Sequence, residues 1–383
     1  MGGMALLHSW GQSTTDLIYR KRQPPMDHRP AFATSQDLWV KPLQCIPDLL
    51  RELGARPQTV FRRAQISPRV LLDPENRLDF VQVGRLLVEC VVATGCEHFG
   101  LLVGQRAGPA TAGIIHELMP FTRTLRSALH ALRLHLHLHD RGGVLALTEQ
   151  SRTLVEAAYI VFRPNTPGAG QISDGALAIL LLMLRSLFGP AWKPVGVTIA
   201  HRRPSDTRPY RQFFNAPISF DASRSALLVP AGLLDRQLPR ADARAEAVIR
   251  AAIVDAEAAR PLSLTLQVKR LVSVMLAGFA PSFPQIASAL GMSARTLRRR
   301  LADEGTTVTA ILDETRTELA RQLIVDTRMP IHEIAQTLHY TKPGAFSRAY
   351  LGWTGITPLS ARRAALRAAT IERPERPHRP RRR

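Results

Sequence analysis

Lysine is nearly missing from this chain of 383 residues. Only Lys21, Lys41, Lys193, Lys269 and Lys342 are lysine among 51 basic residues, so the other 46 are arginine. Cysteine is almost as scarce. Cys45, Cys90 and Cys96 form no C-x-x-C pair, which excludes a disulfide framework and fits a reducing compartment. Long apolar runs are missing too. The most hydrophobic stretch, residues 176–184, is broken by Arg185 and falls well short of the ~20 residues a membrane span needs. The N-terminus, MGGMALLHSWGQS, lacks the basic flank and the longer apolar stretch of a signal peptide. These absences predict a cytoplasmic chain with no membrane partner. Nor is there a G-x-S-x-G, a P-loop or a G-x-G-x-x-G motif, so the expectation is a protein that is not an enzyme and holds no cofactor.

What is present is positive charge. The net charge is +20 and the pI about 11.2, which points to a polyanionic partner. Arginine suits that role because its planar fork grips phosphate or guanine through two hydrogen bonds. An arginine-biased genome would produce part of the same excess. Hydrophobic content of 45% with 21% charged residues is ordinary for globular domains and excludes wholesale disorder.

Length predicts more than one domain. Residues 1–38 read as a disordered extension. Residues 39–239 read as an α+β regulatory body, 240–261 as a helical linker and 262–363 as an all-α block. The Arg/Pro-rich residues 364–383 read as a disordered basic tail. Net charge is +9 over residues 1–261, +4 over 262–361 and +7 over 362–383. The all-α block is therefore scarcely more basic than the rest, and placement of residues must locate a binding surface.

In the regulatory body, residues 79–94 carry a helical stripe (Val83, Leu86, Leu87, Cys90), and 118–131 reads as another helix. The run at 132–139, with RLHLHLHD at 133–140, alternates with period two, which predicts a strand, and Gly142-Gly143 a hairpin turn. Strands follow at 144–148 and 154–162, an apolar helix at 172–188, and strands at 195–200 and 226–229. Gly104–Gly108 reads as a loop.

The last hundred residues carry the functional signal. Ser282-Phe283-Pro284-Gln285 has the residues of a capped helix start. Ile286, Ala287 and Leu290 form an inner face, and Gly291 supplies a turn. Ser293 then caps a second helix at 294–304. Leu297 and Leu301 point inward while Arg295, Arg299 and, nearly, Arg298 share the opposite face at 100° per residue; Arg300 sits at the flank. A seven-residue helix, a glycine turn and an arginine-rich helix have the shape of a helix-turn-helix. A helix follows at 308–326, and then the pattern repeats. Pro330 opens a helix with Ile334, Ala335 and Leu338 inward, His339-Tyr340 makes the turn, and Thr341 is placed to cap residues 342–352, with Phe346 and Tyr350 facing in. The joining helix of ~19 residues spans ~28 Å, near the ~34 Å between successive major grooves.

The block from Ile286-Ala287 through Gly291-Met292-Ser293-x-Arg295-x-Leu297-x-Arg299, with Phe346-Ser347-Arg348-Ala349-Tyr350 and Trp353-Thr354-Gly355-Ile356-Thr357-Pro358, resembles the AraC/XylS family of bacterial transcription regulators. More weakly, Phe99-Gly100-Leu101, Gly104, Pro209-Tyr210-x2-Phe213-Phe214 and Pro217-Ile218-x-Phe220 resemble the arabinose-binding-like regulatory domain of the subgroup that contains ornithine-utilisation regulators. The resemblance implies an effector-responsive N-terminal domain and a C-terminal domain with two helix-turn-helix units. Its DNA-contacting positions fall on Ser293, Arg295, Thr296, Arg298, Arg299 and Arg300 in the first unit, and on Lys342, Gly344, Ser347 and Arg348 in the second. It also implies promoter DNA and RNA polymerase as partners, activation of transcription and a homodimer. One departure concerns geometry: His339 stands where the family's second turn has glycine, so a histidine must take a conformation glycine adopts more cheaply. Another concerns readout: Pro343-Gly344 at the start of the second recognition helix leaves it few groups that read bases.

Other constellations are weaker. His135, His137 and His139 on one strand face, with His130 nearby, have metal-ligand chemistry but also fit a solvated strand, and the expectation is no metal. The effector pocket cannot be read from the sequence. Phe121, Phe162 and Phe214 fit a core as well as a pocket. Two rival functions stand beside the regulator. One is a nucleoid protein that binds by charge alone. The other is an alkylation-repair enzyme, which would need a zinc-bound cysteine cluster that three scattered cysteines do not supply.

Overall fold

The computed structural model describes residues 35–371. Most of the extension and tail expected at the two ends lies outside the described residues. Where they overlap, the structure is more ordered than expected. A first strand, β1 (Asp37–Trp39), pairs antiparallel with β2 (Arg77–Asp79), and the last helix, Pro358–Ile371, runs eight residues into the expected tail.

The regulatory domain is built around a 20-residue helix, Ala169–Phe188. Length and composition would let it cross a membrane, more than the interrupted run at 176–184 predicts. It continues through Arg185 because that guanidinium donates to the carbonyls of Trp192 (3.1 Å) and Phe213 (3.0 Å). Here it is a core helix, with Leu177, Leu181 and Leu184 fully buried. Phe80–Thr94 packs beside it, capped by Asp79, whose carboxylate accepts from the Val81 N–H at 2.8 Å. So does Phe99–Ala107, which overturns the loop expected at Gly104–Gly108. Glycine there serves close packing: a Cβ on Gly100 would lie 2.0 Å from the Gln171 carbonyl oxygen, and one on Gly104 2.3 Å from that of Gly175.

Five strands form the main sheet: β3 (Gly143–Ser151), β4 (Leu154–Val161), β5 (Gly196–Thr198), β6 (Ile218–Ser219) and β7 (Ser225–Pro230). Their order is β3-β4-β7-β5-β6, antiparallel except for the β5–β6 pair. Alternate residues divide between two apolar faces. Leu145, Val155, Ala157 and Tyr159 face the domain core. Val144, Ala146, Ala158 and Ile160 face the C-terminal domain, together with Phe162. A strand covered on both sides reads as a continuous apolar run, as LVEAAYIV does.

The histidine-rich segment corrects the sequence reading. Residues 118–131 are not one helix: Gly113–Leu118 ends, and Leu125–His135 begins under a Thr124 cap. RLHLHLHD is the end of that second helix and a tight turn, not a strand. The stripe Leu125, Ala128, Leu129, Leu132 already sets a helical period, and it outweighs the alternation that follows. Two of its histidines converge on one carboxylate: His135 Nδ1 meets Glu257 at 2.7 Å and His137 Nε2 lies 3.4 Å from it, while His137 Nδ1–H donates to the Leu134 carbonyl at 2.9 Å. Among the described residues no group of three His, Cys, Asp or Glu side chains is placed to hold a metal ion. Gly142-Gly143 is not a hairpin turn either. A Cβ on Gly142 would strike the Phe80 ring at 2.4 Å and one on Gly143 the Tyr159 hydroxyl at 2.2 Å.

The expected linker contains the helix Ala243–Ala259, which docks on the regulatory domain by burying Ile253 beside Leu118, Ala131 and Leu138. Beyond it, among the described residues, lie seven helices: Leu264–Leu276, Phe283–Ala289, Ala294–Asp303, Val308–Asp326, Ile331–Thr337, Pro343–Thr354 and Pro358–Ile371. They make two small cores, one on each side of Val308–Asp326. Leu319, midway along that helix, touches both cores and the outer face of the sheet.

Candidate nucleic-acid interface

The first helix-turn-helix unit forms as its residues dictate. Gln285 reaches back to the Ser282 N–H at 2.9 Å. Gly291 takes a positive φ of 62°, a conformation cheap for glycine. Ser293 caps the second helix by accepting from the Thr296 N–H at 3.1 Å. Leu297 and Leu301 are fully buried against Val268, Val272, Ile286 and Ile311. Glu304, just past the helix end, accepts from the N–H groups of Leu264 (3.1 Å) and Thr265 (2.8 Å). That contact ties the recognition helix to the start of Leu264–Leu276, where orphan N–H groups favour an anion.

Burying the leucines turns the arginines outward. Arg295, Arg298 and Arg299 are exposed and Arg300 is half-buried. Among the described residues none of the four has an acidic partner. The Arg298 guanidinium lies 5.5 Å from the Phe283 ring centre, so the preceding helix props it by a cation–π contact. The Ser293 and Thr296 hydroxyls lie 2.9 Å apart. The six first-unit residues singled out from the sequence thus lie together along one short helix and its cap.

In the second unit, His339 has φ 64°, the left-handed conformation expected of it. Its Nε2–H donates to the Leu276 carbonyl at 3.0 Å. Leu276 ends its helix, where carbonyls lack intrahelical partners, so the strained turn is held by a bond that also joins the two units. Tyr340 fills the turn, packing on Phe346 and Trp353 with ring centres 5.6 and 6.4 Å away. Thr341 does not cap the next helix. Lys342 occupies that position and makes no side-chain capping bond, because an ammonium has only donors to offer and the orphan N–H groups need an acceptor. Lys342, Gly344 and Arg348 are exposed and Ser347 is half-buried.

Sequence reasoning missed the junction between the domains. Leu266 and Ala277 pack on the outer face of the sheet. Arg270 donates to the carbonyls of Asp140 (3.4 Å) and Gly143 (3.1 Å). Gln322 donates to the Val161 carbonyl at 3.0 Å, and the Asn165 N–H to Glu318 at 3.0 Å. Arg202 donates to the carbonyls of Asp326 (2.7 Å) and Val325 (2.9 Å). Burial pushes the Asp326 carboxyl up to about 6 against the pull of Arg321 and His201. His201 is opposed by burial but held charged by Asp174, 3.0 Å away, and its pKa rises to about 9. The cue in the sequence was the two-sided apolar strand β4.

None of the three phenylalanines weighed as pocket residues lines the cavity of the regulatory domain. Phe214 is core, Phe162 belongs to the junction, and Phe121 lies under the Arg240 guanidinium at 5.1 Å. The cysteines are quiet: burial raises the thiols of Cys90 and Cys96, and that of Cys45 to about 11.

Comparison with known proteins agrees with this arrangement. Residues 54–238 match the family described as the arabinose-binding domain of AraC transcription regulator, and residues 286–364 match a helix-turn-helix domain. An ornithine utilization regulator of Pseudomonas aeruginosa is 28% identical over 345 residues, spanning 88% of this chain and 99% of its own. The Mycobacterium tuberculosis transcriptional regulator VirS is 25% identical over 312 residues, 81% of this chain and 92% of its own. The crystal structure of the transcriptional regulator CdpR from Pseudomonas aeruginosa is 21% identical, covers 88% of this chain and 100% of that one, and has a TM-score of 0.39.

Proposed function

This chain belongs to the AraC family of transcription regulators, and from that premise we propose that it reads its promoter chiefly with the arginine face of Ala294–Asp303. The observation that carries this reading is the set of outward arginines, none neutralised by an acidic side chain among the described residues, on a helix fixed at both ends. Arg295 and Arg299 reach guanine O6 and N7 in the major groove. Arg298 and Arg300 hold phosphate, and Ser293 and Thr296 accompany them at the helix start. In the second unit Lys342, Ser347 and Arg348 contact phosphate, and Gly344 lets the backbone come close to the duplex. The protein acts in the cytoplasm as an activator, engages RNA polymerase at the promoter, pairs as a homodimer, and answers to a small molecule held in the regulatory domain. It catalyses no reaction.

Selection of bound fragments from the host genome, followed by a footprint at physiological salt, tests this. The reading predicts an enriched site with two successive major-groove contacts and a preference of ~10³ or more over random DNA. No enriched sequence, with affinity collapsing as salt rises, would make it a charge-driven binder.

A further inference from the structure

The regulatory domain holds a half-open cavity of about 120 Å³ between the core helix Ala169–Phe188, Phe99–Ala107 and the inner face of the sheet. Its wall is mostly aliphatic, with Leu87, Val103, Leu132, Ile179 and Met183 among the residues lining it. No lysine or arginine lines it. One polar side chain in the wall is unsatisfied: His139 is 5% exposed, and neither of its ring nitrogens meets a protein partner. The other polar groups there are engaged. Tyr159 donates to Asp140 at 2.5 Å, and Asp140 also accepts from the N–H groups of Gly142 and Gly143. Gln171 donates to the Glu97 carbonyl at 2.8 Å and accepts from the Gly100 N–H at 2.7 Å.

We propose that this cavity is the effector site, and that it takes a small uncharged molecule, largely apolar, with one hydroxyl or carbonyl that hydrogen-bonds His139. The assignment rests on the regulator reading above and gives that reading its ligand class. Size comes from the volume: an apolar cavity of ~150 Å³ holds benzene, so this one, somewhat smaller but open on one side, suits a molecule of about that size. Charge comes from the wall, because a carboxylate entering here would lose its hydration and find no lysine or arginine in the wall to pair with. The polar handle comes from His139, whose orphaned nitrogens are costly to bury unbonded. Burial, with Arg77 and Lys41 nearby, lowers its pKa to about 3, so it presents one donor and one acceptor.

The position also gives a route outward. The Asp140 carbonyl, one residue along, accepts from Arg270 of the DNA-binding domain, as does that of Gly143. Leu145 and Tyr159 line the cavity, while their strand neighbours Val144 and Ile160 face the DNA-binding domain. A ligand that draws on His139 thus acts one peptide away from a contact between the domains.

Binding of phenol, toluene and hexanoate to the full-length protein, followed by ligand-observed NMR, tests the assignment. Phenol should bind, toluene more weakly and hexanoate not at all. His139→Leu should weaken phenol at least ~10-fold and leave toluene within about twofold, the loss of one hydrogen bond to a buried group. Ala176→Leu, or Ile179→Phe if that variant melts early, should abolish both by filling the space. Binding of none of the probes, hexanoate binding as tightly as phenol, or phenol binding undiminished in the filled variants would overturn the proposal. A protein that binds no phenol yet footprints a specific site loses this inference and keeps the regulator reading. One that binds phenol but selects no site keeps the pocket and loses that reading.

Discussion

His339 shows how a single residue holds a fold that its type disfavours. A left-handed histidine stores strain of about 1 kcal/mol or more, and the bond from its ring to the Leu276 carbonyl offsets this by roughly 0.5–1.5 kcal/mol. The two effects can be separated. His339→Gly relieves the backbone and loses the bond, so stability should change by less than ~1 kcal/mol. His339→Ala keeps the strain and loses the bond, and should cost ~1–2 kcal/mol. Urea unfolding of both variants checks this; equal losses would show that the left-handed backbone stores no strain. His201 makes a second prediction. The imidazole titrates near 6.5 when unfolded and near 9 in the folded protein, where burial opposes the charge but Asp174 sustains it. The charged pair's contribution is therefore complete below about pH 6.5 and is lost as pH rises towards 9. The melting temperature should fall by several degrees across that window, and His201→Gln should flatten the fall. A wild-type melting temperature unchanged from pH 6.5 to 9 would refute it.

At the scale of the element, the C-terminal helices were legible because several independent signals agree there. Caps at Ser282 and Ser293, glycine at Gly291 and the Leu297/Leu301 spacing all name the same helices, and Val308–Asp326 has the limits that its apolar stripe marks. Residues 132–139 were not legible, because eight alternating residues fit the end of a helix and a turn as well as a strand. Gly104 misled for a related reason: glycine signals a turn in sequence, yet here it admits a neighbouring backbone. Among the candidate DNA-contacting residues, exposure follows from the pattern of buried leucines. The Arg298–Phe283 contact does not, since it depends on how two helices cross. Gly344 offers a test at this scale. A Cβ there would have only Arg348 Nη1 within reach, at 3.8 Å, so Gly344→Ala should leave stability unchanged or raise it by at most ~1 kcal/mol. DNA affinity should nevertheless fall, because the added methyl keeps the helix from the duplex. Unchanged affinity would place Gly344 away from the DNA.

For the whole molecule, the sheet is a shared wall. Its inner face borders the cavity and its outer face carries the DNA-binding domain, with Leu319 where the cores meet. The two domains were legible in the sequence; their docking was not, because it depends on side chains far apart in the chain meeting across strands. Arg270→Met should leave phenol binding intact while weakening the effect of phenol on DNA affinity, since it cuts the contact beside His139 and keeps the stem that packs there. An unaltered phenol effect would move the coupling elsewhere. The central claim is that the arginine face of Ala294–Asp303 reads bases. Its most direct test is the affinity of wild type and Arg299→Ala for the selected site and for a shuffled duplex, at one physiological salt concentration. If Arg299 reads a base, the variant should lose ~1–3 kcal/mol at the site and change much less on the shuffled DNA. Equal weakening on both would mean that this arginine touches only phosphate, and would contradict the claim.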